Sequence, residues 1–117
     1  MIDNEMFNNF VVELRRGSLT LAVLGCLHKS FYGYELLQEL QQNEISIEAN
    51  TLYPLLRRLE SQGILTSKWD TTENRPRKYY SLNDDGKEMF NRLLGEWKSM
   101  QKNIDGICGR LKNEKLN

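Results

Sequence analysis

Apolar residues recur every three or four positions through much of this chain, which is the spacing of one face of an α-helix. The first such run has four members, Phe7, Phe10, Val11 and Leu14. It predicts a helix over Asn4–Leu14. Leu19–Leu27 is apolar on nearly every side, so we expect a buried core helix there. The stretch 15–18 either breaks the chain, with Ser18 capping the second helix, or lets one helix run through.

Two further helices are predicted in the middle of the chain. Tyr34–Gln42 follows a turn at 29–33 and is amphipathic, with an inner face formed by Leu36, Leu37 and Leu40. Ser46 can cap the next helix, which runs to about Gln62 and ends at Gly63. The inner stripe of that helix consists of Leu52, Leu55, Leu56 and Leu59.

Pro54 conflicts with the helix that surrounds it. Inside a helix, a proline removes one amide donor and its ring clashes with the preceding turn. Either the helix begins near Asn50, which makes Pro54 a first-turn residue, or the helix kinks at Pro54. The sequence is consistent with both arrangements.

Two segments beyond this helix are rich in residues that favour an extended chain. Ile64–Asp70 and Arg77–Leu82 are predicted strands, and the turn-rich loop 71–76 joins them. Trp69 is expected to pack on this hairpin or under the last helix. Asn83 is suited to cap the last helix, whose first turn carries two acidic residues, Asp84 and Asp85.

The last helix carries an apolar seam that is narrower than an ordinary core face. Its members recur in a heptad pattern: Phe90, Leu93, Trp97, Met100, Ile104, Ile107 and Leu111. A helix of about 28 residues is roughly 40 Å long, which is more than the short helices of one domain can cover. We therefore expect this seam to be a dimer interface, packed against the N-terminal helix of the other subunit. The alternative is that the helix folds back on its own domain.

The element order is helix, helix, helix, strand, strand, long helix, which is that of a winged helix-turn-helix. We expect a mainly α fold (α+β winged helix-turn-helix) with a three-helix N-terminal unit, a two-stranded wing and a long C-terminal dimerisation helix. Residues 1–82 would form the DNA-binding domain, whose N-terminal helix also contributes to the dimer. Residues 83–117 would form the dimerisation helix.

Composition excludes several other classes of protein. The chain has 117 residues, enough for one domain, and its longest apolar stretch is too short to cross a bilayer, so we expect a cytoplasmic protein. Its two cysteines and one histidine fit no zinc pattern, and no nucleophile constellation or phosphate-binding glycine loop is present. We expect no enzyme activity, no metal and no cofactor.

The formal net charge of zero argues mildly against a nucleic-acid partner, but the distribution of charge answers that objection. Residues 1–47 hold three basic and six acidic side chains, whereas residues 48–80 hold six basic and four acidic ones. DNA binding depends on the local field at the docking face. The basic hairpin therefore predicts double-stranded DNA as a partner, whereas a winged helix that serves as a protein–protein module would present an apolar wing.

Several motifs appear together and in a fixed order along the chain. They are Glu13-Leu14-Arg15-Arg16-Gly17-Ser18-Leu19, Tyr32-Gly33-Tyr34-Glu35-Leu36, Asn50-Thr51-Leu52-Tyr53-Pro54-Leu55-Leu56-Arg57-Arg58-Leu59-Glu60, Gly63-Ile64-Leu65, Arg75-Pro76-Arg77-Lys78-Tyr79-Tyr80 and Gly86. With them the chain resembles the PadR family of transcriptional regulators, in the short subfamily with a single C-terminal helix. One departure is Asn74, where the family usually has glycine.

The resemblance implies a homodimeric repressor that binds a pseudo-palindromic promoter site. Several family members respond to phenolic acids or planar cationic drugs. In one group, a tryptophan of the last helix faces its symmetry mate and sandwiches flat aromatic ligands. Trp97 falls at the corresponding position.

Seven residues are candidate DNA contacts: Tyr34, Asn50, Thr51, Tyr53, Arg57, Arg75 and Lys78. We call the predicted helix that ends near Gln62 the reading helix, because it carries the candidate base contacts. Thr51 and Tyr53 lie at its exposed start, while Asn50 either reads a base or caps the helix. Tyr34 either meets a phosphate at a helix start or packs between helices. Arg57 is expected to reach a phosphate, and Arg58 to do so or to pair with Glu60 or Ser61. In the wing, Arg75 is a candidate for the minor groove and Lys78 for a phosphate.

A small aromatic effector is a further expected partner, at a gap between the subunits. Its candidate contacts are Trp97, Met100, Ile104, Phe7, Phe10 and Val11. The alternative is that Trp97 fills interface volume, as most tryptophans in heptad seams do.

Overall fold

The computed structural model describes residues 1–113 and consists of five α-helices, a 3-10 turn and three short strands. In chain order they are α1 (Asn4–Arg15), the 3-10 turn (Arg16–Ser18), α2 (Leu19–Cys26), β1 (Phe31–Tyr32), α3 (Gly33–Gln42), α4 (Ala49–Ser61), β2 (Leu65–Asp70), β3 (Arg77–Leu82) and α5 (Asp84–Asn113). The predicted mainly α fold with a hairpin wing is confirmed. Residues 114–117 of the predicted dimerisation helix lie outside the described residues.

The helical structure is interrupted between α1 and α2, which is one of the two arrangements that the sequence allows. The expected capping role of Ser18 is wrong, because its hydroxyl donates a hydrogen bond backwards to the Arg15 carbonyl at 2.8 Å. The 3-10 turn makes the connection instead. At the other end of α1, the Asp3 carboxylate caps the helix by accepting a hydrogen bond from the Met6 amide at 2.7 Å.

One apolar core lies where α2, α3, α4 and the sheet meet. Its residues are Val23, Leu24, Leu27, Leu36, Leu40, Ile47, Leu52, Leu56, Leu59, Ile64, Leu65, Tyr80 and Leu82. The predicted inner faces of the helices supply most of them, although Leu37 and Leu55 are only half-buried. The Leu82 amide donates to the Leu27 carbonyl at 2.9 Å, which ties the end of β3 to the end of α2. The core therefore holds the wing and the helices in one unit.

The sheet has three antiparallel strands in the order β1-β3-β2, one strand more than predicted. The sequence predicts a turn, and not a strand, in the region of β1. Phe31 pairs with Tyr80 and Tyr32 pairs with Tyr79. Two residues are too few to show the alternation of a strand, so the sequence gives no local signal for β1. The strand forms by pairing with the free edge of β3.

Helix α4 begins at Ala49, one residue before the start near Asn50 that would make Pro54 a first-turn residue. Glu48 precedes the first helical residue, so Ser46 is not the cap. Pro54 is the sixth residue of the helix, and its missing amide leaves the carbonyl of exposed Asn50 without the usual intrahelical donor. That carbonyl can hydrogen-bond with water, which makes the proline tolerable on this outer face.

Gly63 ends α4 as predicted. Its φ of +83° lies in the left-handed region, where a side chain would be strained. The Gly63 amide donates to the Glu60 carbonyl at 3.0 Å and the Ile64 amide to the Leu59 carbonyl at 3.3 Å. This is the Schellman arrangement, and it turns the chain directly into β2.

Asn83 caps α5 as predicted, since its side-chain oxygen accepts a hydrogen bond from the Gly86 amide at 2.8 Å. Its side-chain nitrogen donates to the Gly63 carbonyl at 2.8 Å, which joins the start of α5 to the end of α4. Phe90 packs against α2, where a Cβ on Gly25 would lie 3.3 Å from the Phe90 ring. The first part of α5 therefore folds back on its own domain, whereas the seam residues from Trp97 onward are exposed.

Candidate nucleic-acid interface

The outer face of α4 carries the residues expected to read DNA. Leu52, Leu56 and Leu59 are buried, which fixes the opposite side of the helix towards solvent. Four of the predicted contacts are exposed on that side: Asn50, Thr51, Tyr53 and Arg57. The helix thus presents polar, aromatic and basic groups together, as a helix that enters the major groove requires.

A cleft of about 770 Å³ separates this face from the wing. It brings together five of the seven predicted DNA contacts, namely Tyr34, Tyr53, Arg57, Arg75 and Lys78. Asn50 and Thr51 do not line the cleft and lie in the first turn of α4. Tyr34 is 55% exposed, so its alternative role as packing between helices is not what the structure has.

Trp69 also lines the cleft, which the sequence did not predict. Of its two predicted positions, the one under the last helix is wrong, because Trp69 lies on the hairpin with 64% of its surface exposed. In the β2–β3 register it lies directly opposite Lys78, on the same face of the sheet. The pairing with Lys78 shows which face of the sheet carries Trp69. The alternation of residues in β2 alone does not show which face of the strand meets the cleft.

Arg77 is held by aromatic residues. Its guanidinium carbon lies 4.6 Å from the centre of the Tyr32 ring, and the Tyr32 and Tyr79 rings meet edge to face at 5.5 Å between centres. Glu73 approaches the same guanidinium at 3.6 Å. Arg77 therefore joins β1 to β3 with part of its charge balanced.

Lys78 makes an ion pair that the sequence did not predict. Its ammonium nitrogen donates to the Glu60 carboxylate at 2.9 Å, and Ser67 donates its hydroxyl to the other oxygen of the same carboxylate. The Ser67 hydrogen bond and then the Lys78 hydrogen bond hold the pKa of Glu60 below its ordinary value. Glu60 is therefore occupied by the wing, and the proposed pairing of Arg58 with Glu60 is wrong.

The remaining cations of this face are unpaired. Within the residues that the structure describes, Arg57, Arg58 and Arg75 take part in no ion pair. All three are exposed. A chain of zero formal net charge therefore carries a local group of exposed, unpaired arginines on this face.

A second groove, of about 470 Å³, lies between α5 and the start of α2. Three of the predicted effector contacts line it, namely Trp97, Met100 and Ile104. The other three, Phe7, Phe10 and Val11, do not line it within one chain. Two carboxylates, of Glu96 and Asp105, are also among its lining residues.

The predicted interface residues fall into two groups. Phe90 and Leu93 are half-buried against the core of their own domain. The other five are exposed by 44 to 58%: Trp97, Met100, Ile104, Ile107 and Leu111. The open seam therefore begins at Trp97.

No cluster of three or more potential metal ligands occurs between residues 1 and 113. In the same range, no helix combines the length and the apolar character that crossing a membrane requires.

Comparison with solved structures places this arrangement among known regulators. A PadR family transcriptional regulator from Eggerthella lenta is 42% identical with a TM-score of 0.86, and the match covers 90% of this chain and 94% of that one. Bacillus subtilis PadR, solved in complex with operator DNA, is 26% identical with a TM-score of 0.61. That match covers 65% of this chain and 45% of the Bacillus protein.

Sequence comparison agrees with the structural one. The transcriptional regulator Rv3488 of Mycobacterium tuberculosis is 32% identical over 76 residues, which are 64% of this chain and 71% of that protein. The sequence model of the transcriptional regulator PadR-like family matches residues 21–92, which hold the core helices, the reading helix, the wing and the start of α5. The chain therefore belongs to the PadR-like family of transcriptional regulators.

Proposed function

We propose that this regulator is a homodimeric repressor that binds double-stranded DNA at a pseudo-palindromic promoter site. The unpaired arginines around the cleft support DNA as the partner. The likeness to a PadR protein solved with operator DNA supports the same partner. In this proposal α4 enters the major groove with Asn50, Thr51 and Tyr53 towards the bases, and Arg75 at the wing tip lies in the adjacent minor groove.

The uncovered apolar surface of α1 and α5 carries the proposal of a dimer. No residue of α1 is buried within the described part of the chain, yet the helix presents Phe7 at 59%, Phe10 at 61% and Leu14 at 79% exposure. A contiguous exposed stripe of aromatic and aliphatic side chains is typical of a surface that another molecule covers. The open seam of α5 has the same requirement.

A second copy of the chain is the occupant that fits both surfaces. The seam from Trp97 to Leu111 has heptad spacing, which suits a helix of matching pattern. The stripe of α1 can lie against α5 of the other subunit, and two-fold symmetry then covers both stripes in both copies. The proposed interface excludes Phe90 and Leu93, which their own domain already covers.

The groove at Trp97 is the proposed site of an effector. Its lining combines an indole, the thioether of Met100 and two carboxylates. A flat aromatic molecule with a positive charge matches that combination, because stacking and ion pairing act together. Since the groove adjoins the seam, a bound effector would alter the spacing of the two reading helices and release the DNA.

The experiment that tests the proposal introduces one charge into the seam. Ile104→Asp should convert the dimer to a monomer in light scattering after size exclusion, and should weaken binding to a duplex from upstream of the protein's own coding sequence. Ser99→Asp adds the same charge to α5 at about 120° from the seam and should change neither. A dimer that survives Ile104→Asp would contradict the proposed interface, and a wild-type dimer that ignores promoter DNA would favour a protein–protein module.

A further inference from the structure

The end of α4 and both strands of the wing meet at the carboxylate of Glu60. Ser67 of β2 and Lys78 of β3 donate to its two oxygens, and the Lys78 contact measures 2.9 Å. The side chains of Lys78 and Glu60 are 28% and 31% exposed, so both are largely shielded from solvent. One carboxylate thus holds the reading helix and the hairpin at a fixed distance.

The sheet register explains why the contact forms. Ser67 pairs with Tyr80 and Trp69 pairs with Lys78, so these four side chains share the face that meets α4. The Lys78 ammonium lies 5.1 Å from the centre of the Tyr80 ring, which is buried. Lys78 is therefore held on two sides, by a carboxylate and by an aromatic face.

Four cations line the cleft, and they differ in their pairing. Arg77 is partly balanced by Glu73. Of the other three, Arg57, Arg75 and Lys78, only Lys78 has a carboxylate partner within residues 1–113. A paired lysine and glutamate carry no net charge, so they displace no counterions from DNA. A phosphate that approached Lys78 would also approach the Glu60 carboxylate, whose negative charge opposes the contact.

We propose that Glu60 is a positioning residue that withholds Lys78 from the DNA backbone and sets the distance between the reading helix and the wing. This inference rests on the proposed function, in which the wing lies against DNA. The unpaired positive charge that the wing brings to the DNA then comes from Arg75 in the minor groove, and that of α4 from Arg57 at a phosphate. Lys78 therefore helps to position the wing relative to the reading helix and adds no unpaired positive charge to the DNA-binding surface.

The salt dependence of DNA binding separates this role from a purely structural one. Affinity of the full chain for the upstream duplex is measured against salt concentration for the wild type, Lys78→Met, Glu60→Gln and the double variant. Each phosphate contact contributes about 0.9 to the log–log slope. Lys78→Met leaves the Glu60 carboxylate without its partner, so the decisive comparison is between the wild type and the double variant, which removes both charges. Glu60→Gln frees the ammonium and should steepen it by about one per subunit, and the double variant should return to the wild-type slope.

Two controls keep the test decisive. In Glu60→Gln, the side-chain oxygen of glutamine can still accept the hydrogen bond from the Ser67 hydroxyl. Ser67→Ala breaks that hydrogen bond without a change of charge, so this variant should keep the slope of the wild type. Circular dichroism establishes that each variant is folded. Arg75→Ala reports on the proposed function by itself, because loss of its contact should flatten the slope by about one per subunit.

The opposite results are equally clear. A flatter slope in the double variant than in the wild type would show that Lys78 is a phosphate contact and would overturn the inference. An unchanged slope in Glu60→Gln would overturn it as well. If Arg75→Ala also leaves the slope unchanged, the wing does not touch DNA, and the failure then belongs to the proposed function.

Discussion

The phenol ring of Tyr53 on α4 packs against Gly33 at the start of α3. A Cβ on Gly33 would lie 3.2 Å from the Tyr53 Cζ atom and would meet the ring edge more closely still. Glycine therefore allows the proposed base-reading tyrosine to lie close to the neighbouring helix. This contact restricts the orientation of a side chain that is 37% exposed.

Gly33→Ala should weaken binding to the upstream duplex by about tenfold, or about 1.4 kcal/mol, because the new methyl group displaces the Tyr53 ring. The fold should persist, since alanine favours a helix more than glycine does and the ring can move towards solvent. A double-mutant cycle with Tyr53→Ala checks the mechanism. If Gly33→Ala weakens binding equally when Tyr53 is absent, the contact between them is not the cause.

Gly86→Ala should destabilise the fold. The α-carbon of Gly86 lies against the backbone carbonyl oxygen of Ile64, and an added Cβ would overlap with it. A backbone oxygen cannot move aside as a side chain can, so we expect a loss of about 1–3 kcal/mol in the free energy of unfolding. Urea denaturation measures it. Gly95 lies on the same helix with open space around it, and Gly95→Ala should stabilise by up to about 1 kcal/mol.

Trp97 should report the binding of a planar aromatic cation. The chain has two tryptophans, and Trp69→Phe leaves Trp97 as the only indole. Titration with a probe such as ethidium should then quench the fluorescence of Trp69→Phe, because the ring stacks on Trp97. The matched variant Trp97→Phe, which keeps Trp69, should respond weakly. Equal quenching of both variants would remove Trp97 from the effector site.

The contribution of Glu60 to stability should depend on pH. Hydrogen bonds from Ser67 and Lys78 lower the pKa of Glu60 in the folded state from its ordinary value of 4.5. A lowered folded pKa gives stability that is present above 4.5 and is lost as the pH falls through the folded value. The stability difference between wild type and Glu60→Gln should therefore shrink below pH 4.5. A difference that stays constant from neutral to acid pH would contradict the ion pair.

Local signals account for most of the secondary structure. The leucine stripe of α4, the Gly63 stop and the Asn83 cap each act through neighbours a few residues away, so the sequence alone predicts them. The strand β1 and the exposure of Trp69 arise from pairing with β3, a distant segment. The motifs of the reading helix and wing indicated the family, which the comparisons then confirmed.

The sequence by itself determined that a polar, basic helix is followed by a basic hairpin and a heptad helix, because periodicity and capping are local properties of the chain. Only the tertiary structure decided which side chains within those segments are available. It paired Lys78 with Glu60, packed Phe90 and Leu93 into the core, and brought Tyr34 and Arg75 to one cleft. These contacts join residues that are far apart in the sequence, and the local pattern of residues does not predict which distant side chains will come together.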